Sequence, residues 1–239
     1  MNIDYLIYYP VNGTSSIPLR TISFDLGTKL NYIGNIDSLN PGITKAVIYY
    51  HGNATSSDSI NSLISNLYPK YIIPEYPGYK GAFPCKNNLT VTETILEGVN
   101  TLAQWLYKHK IKVHIIGQSI GSGPACKLAS SLPKKLLLSL QLITPFININ
   151  DLINDYTLFG GYLISDYYYN NLEELRKIIS YCPINIYHGN FDTIINIKHS
   201  TQIQNQLKNN INLKMYITNT NHNDILTPYV LKIIKNFLD

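Results

Sequence analysis

The chain has 239 residues, of which 45% are hydrophobic and only 14% charged, and its formal net charge is +4. This balance is typical of a globular protein with one substantial core and excludes a disordered chain. Lys and Arg form no block, and no apolar run approaches the roughly 20 residues that span a bilayer. We therefore expect neither a nucleic-acid-binding surface nor a transmembrane segment.

The predicted elements fall into two regions. Residues 1–44 carry three strand signals separated by Gly, Asn and Pro, at 5–9, 20–24 and 29–33, which predict an antiparallel entry to a sheet. From residue 45 strands alternate with helices, which predicts a mostly parallel sheet with helices on both faces, in a single domain of residues 1–239. The predicted strands are 45–50, 71–74, 112–116, 136–143, 184–188 and 213–218, and the predicted helices are 59–67, 92–109, 120–131, 197–207 and 224–238.

One segment interrupts this alternation. Residues 145–182 form a long, Tyr-rich insertion between two predicted strands, with Phe159, Tyr162 and the triplet Tyr167-Tyr168-Tyr169. A long insertion on the ligand side of a parallel sheet is often a lid over the binding site. Ordinary packing of a connecting helix pair explains the segment equally well, so both interpretations stay open.

The sharpest local motif is Gly117-Gln118-Ser119-Ile120-Gly121, between a predicted strand and a predicted helix. This strand–turn–helix context is the one that a nucleophile elbow requires. The two glycines suit a tight turn in which a side chain would collide with the neighbouring strand or helix. The turn would present Ser119 beside the first amides of the helix, so Ser119 is our candidate nucleophile. A phosphate-binding loop is disfavoured because the Lys-Ser/Thr ending of a P-loop is missing.

A nucleophilic serine needs a base and a residue that orients this base. In a nucleophile-elbow fold the acid and then the histidine follow the serine along the chain. His222 lies in a polar loop after a predicted strand and is preferred to His199, which falls within a predicted helix. Asp192 follows the strand and glycine turn at 184–189 and is the preferred acid.

Two other carboxylates are rivals to Asp192. Asp224 is two residues from His222 and resembles the N-cap of the final helix, while Asp166 lies in the insertion.

An oxyanion hole requires two N–H donors. The residue after the nucleophile supplies one, so we expect the Ile120 amide. The second should come from the loop after an earlier strand, His51-Gly52-Asn53, and we assign it to the Asn53 backbone N–H with Ala54 as the fallback. For His51 itself, a structural hydrogen bond within the loop is preferred to a catalytic role.

Five motifs occur in order along the chain: HGN at 51–53, EYPGYKG at 75–81, GQSIGSGP at 117–124, HGNFD at 188–192 and HND at 222–224. Together they resemble the α/β-hydrolase-domain serine hydrolases, and in particular the protein-depalmitoylase branch and its uncharacterised microbial relatives. The resemblance covers about residues 45 to 239 and implies the α/β-hydrolase fold with Ser119, Asp192 and His222 as a catalytic triad. The chain lacks the N-terminal cysteine cluster of the depalmitoylases, and Lys80 stands where glycine is usual.

The leading hypothesis is therefore hydrolysis of an ester or thioester, in a small-molecule or protein-linked acyl substrate, through an acyl-serine intermediate. We expect no metal and no organic cofactor. A prolyl-oligopeptidase-like serine peptidase is an alternative, although such enzymes usually bring an extra domain that 239 residues cannot supply. A catalytically silent hydrolase fold used for binding is the other, although all three triad residue types are present. Oligomeric state and acyl chain length are not predicted.

Two features bear on location. The first 13 residues carry Asp4 and several tyrosines where a signal peptide would have a basic end and an apolar run. The three cysteines are odd in number and match neither a zinc ligand spacing nor a disulfide framework, so we expect buried free thiols: Cys85, Cys126 and Cys182. Both features favour a soluble, cytoplasmic protein, with peripheral membrane contact left open.

Overall fold

The fold is known from a computed structural model that describes residues 4–23, 29–85, 88–157, 169–207 and 210–238. Within these ranges the strands are β1 Arg20–Ile22, β2 Leu30–Gly34, β3 Lys45–Tyr50, β4 Tyr71–Pro74, β5 Lys112–Gln118, β6 Leu137–Ile143, β7 Ile184–Gly189 and β8 Leu213–Thr218. These eight strands form one sheet in the order β1-β2-β4-β3-β5-β6-β7-β8. The pairs β1–β2 and β2–β4 are antiparallel and all the others are parallel, so the predicted antiparallel entry to a mostly parallel sheet is confirmed.

Helices cover both faces of this sheet, as predicted. Alternate residues of β3 enter different apolar clusters: Ile48 and Tyr50 pack with α3 and α4, whereas Val47 and Tyr49 pack with α2 and α8. A strand buried on both faces is what a continuous apolar run predicts. The helices are α1 Asp4–Ile7, α2 Ser57–Leu67, α3 Val91–His109, α4 Ser122–Ser131, α5 Ile149–Asn154, α6 Asn171–Ile178, α7 Lys198–Gln206 and α8 Pro228–Leu238. In the described ranges every helix is too short or too polar to cross a bilayer.

The start of the chain differs from its prediction. The strand expected at 5–9 is wrong, because residues 4–7 form α1. The Asp4 carboxylate accepts hydrogen bonds from the Thr92 backbone N–H (3.2 Å) and hydroxyl (2.8 Å) at the start of α3. Tyr8 is buried and its hydroxyl donates to that of Tyr169 at 3.0 Å. These distant partners outweigh the β preference of the tyrosines, since strand propensity depends strongly on context.

The final helix also differs from its prediction. We expected it to begin near Asp224, but α8 begins at Pro228. The Thr227 hydroxyl accepts the Val230 N–H at 3.3 Å, so Thr227 caps this helix and Asp224 does not. Proline suits the first helical position because its missing N–H would have no partner there. The polar loop between β8 and α8 is therefore longer than expected, and it carries His222.

The proposed insertion at 145–182 is described at both ends. It contains α5 and α6, and an isolated antiparallel bridge pairs Asn148 with Asn170. Tyr169 is buried against Phe146, with ring centroids 6.4 Å apart. Phe159, Tyr162, Tyr167 and Tyr168 lie outside the described residues, so the choice between a lid and a packed connection stays a prediction.

Candidate active site

Ser119 lies at a strained turn between β5 and α4. Its φ is +54°, a conformation that costs energy in residues other than glycine, and a single turn of 3₁₀ helix follows it at Ser119–Gly121. Strained backbone that persists in a native fold is often found at a functional site. The side chain is largely buried, with 8% of the residue exposed. The local geometry is that of the predicted nucleophile elbow.

The two glycines of the motif are required by close approach. A Cβ on Gly121 would lie 2.3 Å from the Tyr50 carbonyl oxygen at the end of β3. A Cβ on Gly117 would lie 2.5 Å from the Ala125 Cβ in α4. Both distances are far inside van der Waals contact, and in each case the obstacle is backbone or a rigid Cβ. The sequence-based prediction of collisions with the strand and the helix is confirmed.

The loop after β8 brings His222 to the serine. The Nε2 atom of His222 lies 3.0 Å from the Ser119 Oγ, although the two residues are 103 positions apart. His222 is 7% exposed, so bulk water has little access to this contact. The distance falls within the range in which a histidine can accept a proton from a serine hydroxyl.

Asp192 holds the other side of the His222 ring. Its Oδ2 lies 2.7 Å from the His222 Nδ1, and its Oδ1 accepts the backbone N–H groups of Ile194 (2.9 Å) and Ile195 (2.8 Å). Burial raises the pKa of Asp192, but the hydrogen bonds from His188, His222 and Ile195 outweigh it and hold this pKa well below its usual range. Asp192 is therefore ionised at neutral pH, and a carboxylate at Nδ1 leaves Nε2 as the acceptor toward Ser119.

His188 also contacts Asp192, and the sequence analysis did not identify this role. Its Nε2 donates to the Ile195 carbonyl oxygen at 2.8 Å and lies 3.3 Å from the Asp192 Oδ2, while the Ser200 hydroxyl lies 2.6 Å from its Nδ1. His188 is fully buried. Its position four residues before Asp192, in the HGNFD motif, was the available signal. It helps to orient the loop that carries Asp192.

The rival residues have other partners. His199 is buried, with its Nε2 3.0 Å from the Asp155 Oδ2. Asp224 is exposed and accepts from the Asn221 side chain at 3.4 Å. Asp166 lies outside the described residues. Among the described candidates, the structure brings together Ser119, Asp192 and His222, the three that the chain order favoured.

Asn53 and Ile120 line the same cavity as Ser119. The backbone N–H of Ala54, the fallback donor, is directed at the Asn53 Oδ1 at 2.9 Å and is thus already engaged. The oxyanion assignment itself stays a prediction, with Asn53 and Ile120 as its two amides.

The loop that carries Asn53 is held by a buried contact between His51 and Glu75. The His51 Nε2 lies 2.9 Å from the Glu75 Oε1, both side chains are fully buried, and the His51 Nδ1 faces the Gly52 carbonyl oxygen at 2.8 Å. The Tyr76 hydroxyl donates to the His51 carbonyl oxygen at 2.6 Å. His51 thus makes a structural hydrogen bond within its own loop, as the sequence analysis preferred.

The cavity at Ser119 is narrow and apolar. Its volume is about 170 Å³, and no charged side chain is among its described lining residues. Tyr156, which is more than half exposed, donates its hydroxyl to the Ile194 carbonyl oxygen across this cavity. Apart from Ile120, the apolar lining was not identified from sequence, because it comes from α1, α5 and the segments that follow α1, α5 and β7. The lining residues are Ile7, Tyr9, Asn53, Ser119, Ile120, Ile149, Leu152, Ile153, Tyr156, Ile194 and Ile195.

The cysteines lie outside this site. Cys126 and Cys182 are buried, and burial raises the pKa of Cys182 to about 12, so neither position suits a reactive thiolate. Cys85 is only half-buried, so the expectation of burial is wrong for it. Within the described ranges, no three His, Cys, Asp or Glu side chains cluster closely enough to hold a metal ion.

Known proteins resemble this chain over most of its length. No protein-family model matches it. It is 25% identical over 241 residues to "Putative alpha/beta hydrolase L404" of Acanthamoeba polyphaga mimivirus, covering 97% of this chain and 87% of the relative. The esterase PF2001 of Pyrococcus furiosus superposes with a TM-score of 0.68 at 18% identity, covering 97% and 98% of the two chains. A bromoperoxidase of Bacillus anthracis superposes with a TM-score of 0.64 at 13% identity, covering 92% and 99%.

Proposed function

We propose that this protein, which has the α/β-hydrolase fold, is a serine hydrolase that cleaves a carboxylic ester or thioester through an acyl-serine intermediate. One observation carries the proposal. The Ser119 Oγ, both ring nitrogens of His222 and the Asp192 carboxylate form a continuous chain, with distances of 3.0 Å and 2.7 Å. The fold alone would not suffice, because one fold supports many reactions.

In the first half of the reaction, the Ser119 Oγ attacks the carbonyl carbon of the substrate while His222 Nε2 takes the hydroxyl proton. The Asp192 carboxylate accepts a hydrogen bond from the Nδ1–H and stabilises the imidazolium that forms. The negative charge on the carbonyl oxygen would be bound by the amides of Ile120 and Asn53. The tetrahedral intermediate then collapses, His222 donates its proton to the departing alcohol or thiol, and the acyl group remains on Ser119.

In the second half, His222 takes a proton from water, and the resulting hydroxide equivalent attacks the acyl-serine ester. Collapse releases the carboxylic acid and returns the proton to Ser119. The apolar walls of the Ser119 cavity support a neutral acyl group, because a charged one would lose its hydration there without gaining a counter-charge. The resemblance to depalmitoylases makes a thioester, whose leaving group is a thiol, the natural second substrate class to test.

The direct test is turnover of p-nitrophenyl esters from acetate to palmitate by the wild type, Ser119→Ala and Ser131→Ala. Ser131 is exposed at the end of α4 and gives a matched control. We expect Ser119→Ala to lose activity by about a million-fold and Ser131→Ala to keep it. Full activity of Ser119→Ala would refute the mechanism.

Two further assays separate the alternatives. Fluorophosphonate labelling of the wild type but not of Ser119→Ala is expected of a serine hydrolase, and its absence would favour a catalytically silent binding protein. Faster cleavage of prolyl p-nitroanilides than of any ester or acyl-thioester would favour a peptidase instead.

A further inference from the structure

A second and larger cavity lies away from Ser119. Its volume is about 270 Å³, and it is enclosed by β2, the end of β4, the segment that follows β4 and the first turns of α3. Ser119, Asp192 and His222 do not line it. Much of its wall is apolar, with Leu30, Pro74 and Ile95 among the lining residues. At about 30 Å³ for an atom group the size of water, the cavity has room for about nine non-hydrogen atoms.

Most polar side chains in this wall already have partners. The Asn31 Oδ1 accepts the Phe83 N–H at 2.7 Å, and the Thr94 hydroxyl donates to the Thr90 carbonyl oxygen at 2.9 Å. The Glu75 carboxylate accepts from His51 (2.9 Å), the Tyr76 N–H (3.1 Å) and both the N–H and hydroxyl of Ser57 (2.8 and 2.6 Å). Glu75 therefore has no need of a partner in the cavity.

Among the buried polar side chains in the described part of this wall, Tyr50 is the exception. It is 1% exposed, it lines the cavity, and its hydroxyl has no hydrogen-bond partner in the described part of the chain. Burial raises the pKa of Tyr50, so the hydroxyl keeps its proton and is a donor. Buried donors without a partner are rare in native proteins because leaving one unpaired costs free energy. Tyr49, the preceding residue, faces the other side of the sheet, and its hydroxyl donates to the Gln118 Oε1 at 2.5 Å.

We propose that this cavity binds a small neutral molecule with an apolar body and one carbonyl oxygen, which accepts a hydrogen bond from Tyr50. A carboxylate ligand would lose its hydration against this apolar wall, which also contains the Glu75 carboxylate. Lys29 lines the cavity as well, but it is exposed and its ammonium lies over the Phe83 ring. A cationic ligand would find the oxygens of Glu75 already bound by four donors. A neutral ligand with a single acceptor matches the one buried, unpartnered donor in the described part of this wall and its apolar surroundings.

The position of the cavity connects it to the Ser119 site without making it part of that site. Glu75 and Tyr76 line the cavity and also hold His51, through the Glu75 carboxylate and the Tyr76 hydroxyl. His51 begins the loop that carries Asn53. The binding inference does not depend on the proposed hydrolase function, since it can be measured without any turnover.

The probe is 2-octanone, which has nine non-hydrogen atoms, one carbonyl and no bond that a hydrolase cleaves. Its binding is measured by saturation-transfer NMR and calorimetric titration on the full chain. We expect saturable binding to the wild type and to Tyr49→Phe, which is the same substitution one residue away. Tyr50→Phe should weaken the affinity about 3- to 10-fold, because it removes one hydrogen bond. Ala82→Leu, which fills the cavity wall, should abolish binding.

Three results would overturn the inference. The first is that binding to the wild type does not saturate, and the second is that the wild type, Tyr50→Phe and Ala82→Leu bind 2-octanone with equal affinity. The third is that Ile153→Trp, in the Ser119 cavity, abolishes binding. Thermal unfolding of each variant checks that it folds. Tyr50→Phe should unfold at or above the wild-type temperature, since its hydroxyl has no partner to lose. If Ala82→Leu does not fold, Tyr50→Phe and Tyr49→Phe still decide the outcome.

Discussion

The side chain of Asn53 fastens the start of the chain to the loop beside Ser119: its Oδ1 lies 2.9 Å from the backbone nitrogen of Tyr9. Its Nδ2 donates to the Ile7 carbonyl oxygen at 2.5 Å, and the Tyr79 hydroxyl donates to the same Oδ1 at 3.0 Å. Ile7 and Tyr9 in turn line the Ser119 cavity. One amide side chain thus fixes both the loop proposed to bind the oxyanion and one wall of the cavity.

Replacing Asn53 with Ala should therefore lower kcat although the backbone N–H remains. We expect a loss of about 10- to 100-fold with p-nitrophenyl butyrate, because the loop amide would no longer be held in position. The matched control is Asn205→Ala, on the exposed side of α7, which should keep the wild-type kcat. Rates are compared below the unfolding temperature of each variant, and an unchanged kcat in Asn53→Ala would contradict the prediction.

Asp192→Asn should leave the fold intact and remove most activity. An amide at this position no longer holds His222 in the tautomer whose Nε2 accepts the serine proton, and we expect kcat to fall by about 10,000-fold. Asp224→Asn, the exposed rival two residues from His222, should retain full activity. Steady-state kinetics on both variants measures this, and the reverse pattern would transfer the acidic role to Asp224.

The stability of the protein should fall as the pH is lowered from about 6.5 to about 4, in part because of His114. Burial, with a smaller effect from Lys45, lowers the pKa of His114 to about 4 from its usual value of 6.5. Between these values the unfolded chain binds a proton that the folded protein excludes, so protonation favours unfolding. We expect His114 to contribute a loss of about 2 kcal/mol in the free energy of unfolding across this range.

Urea denaturation at a series of pH values, on the wild type and His114→Asn, measures this effect. The difference between the two proteins should shrink as the pH falls from 7 to 4, because His114→Asn loses the hydrogen bond to the Ser139 hydroxyl but has no proton to bind. A difference that stays constant over this range would show that His114 does not contribute to the pH dependence.

Ile153→Trp should shorten the range of acyl chains that the protein accepts. Ile153 is 9% exposed and lines the Ser119 cavity, so a larger side chain would occupy the space of the distal methylenes. We expect kcat/KM for p-nitrophenyl octanoate to fall about tenfold or more, with little change for the acetate. Ile211→Trp, at a position that is 91% exposed, is the control. Equal losses for both esters would indicate general damage to the site.

The sequence by itself determined the alternation of strands and helices from residue 45 onward, because apolar periodicity and turn residues are local signals. It also singled out Ser119, Asp192 and His222 from their order and from the strands that precede them, and these three lie within hydrogen-bonding distance in the structure. Parallel strands end at one edge of their sheet, so residues that directly follow them meet there. Their catalytic roles remain a prediction.

Only the tertiary structure decided what depends on partners far along the chain. Residues 4–7 are helical because Asp4 binds Thr92, which is 88 positions away. The Asn53 side chain binds Tyr9 across 44 positions. The role of His188 beside Asp192, the apolar walls at Ser119 and the unpartnered hydroxyl of Tyr50 are likewise invisible to periodicity. Such contacts form when separate elements pack, and their geometry follows from the shape of the whole core, which no local stretch of sequence encodes.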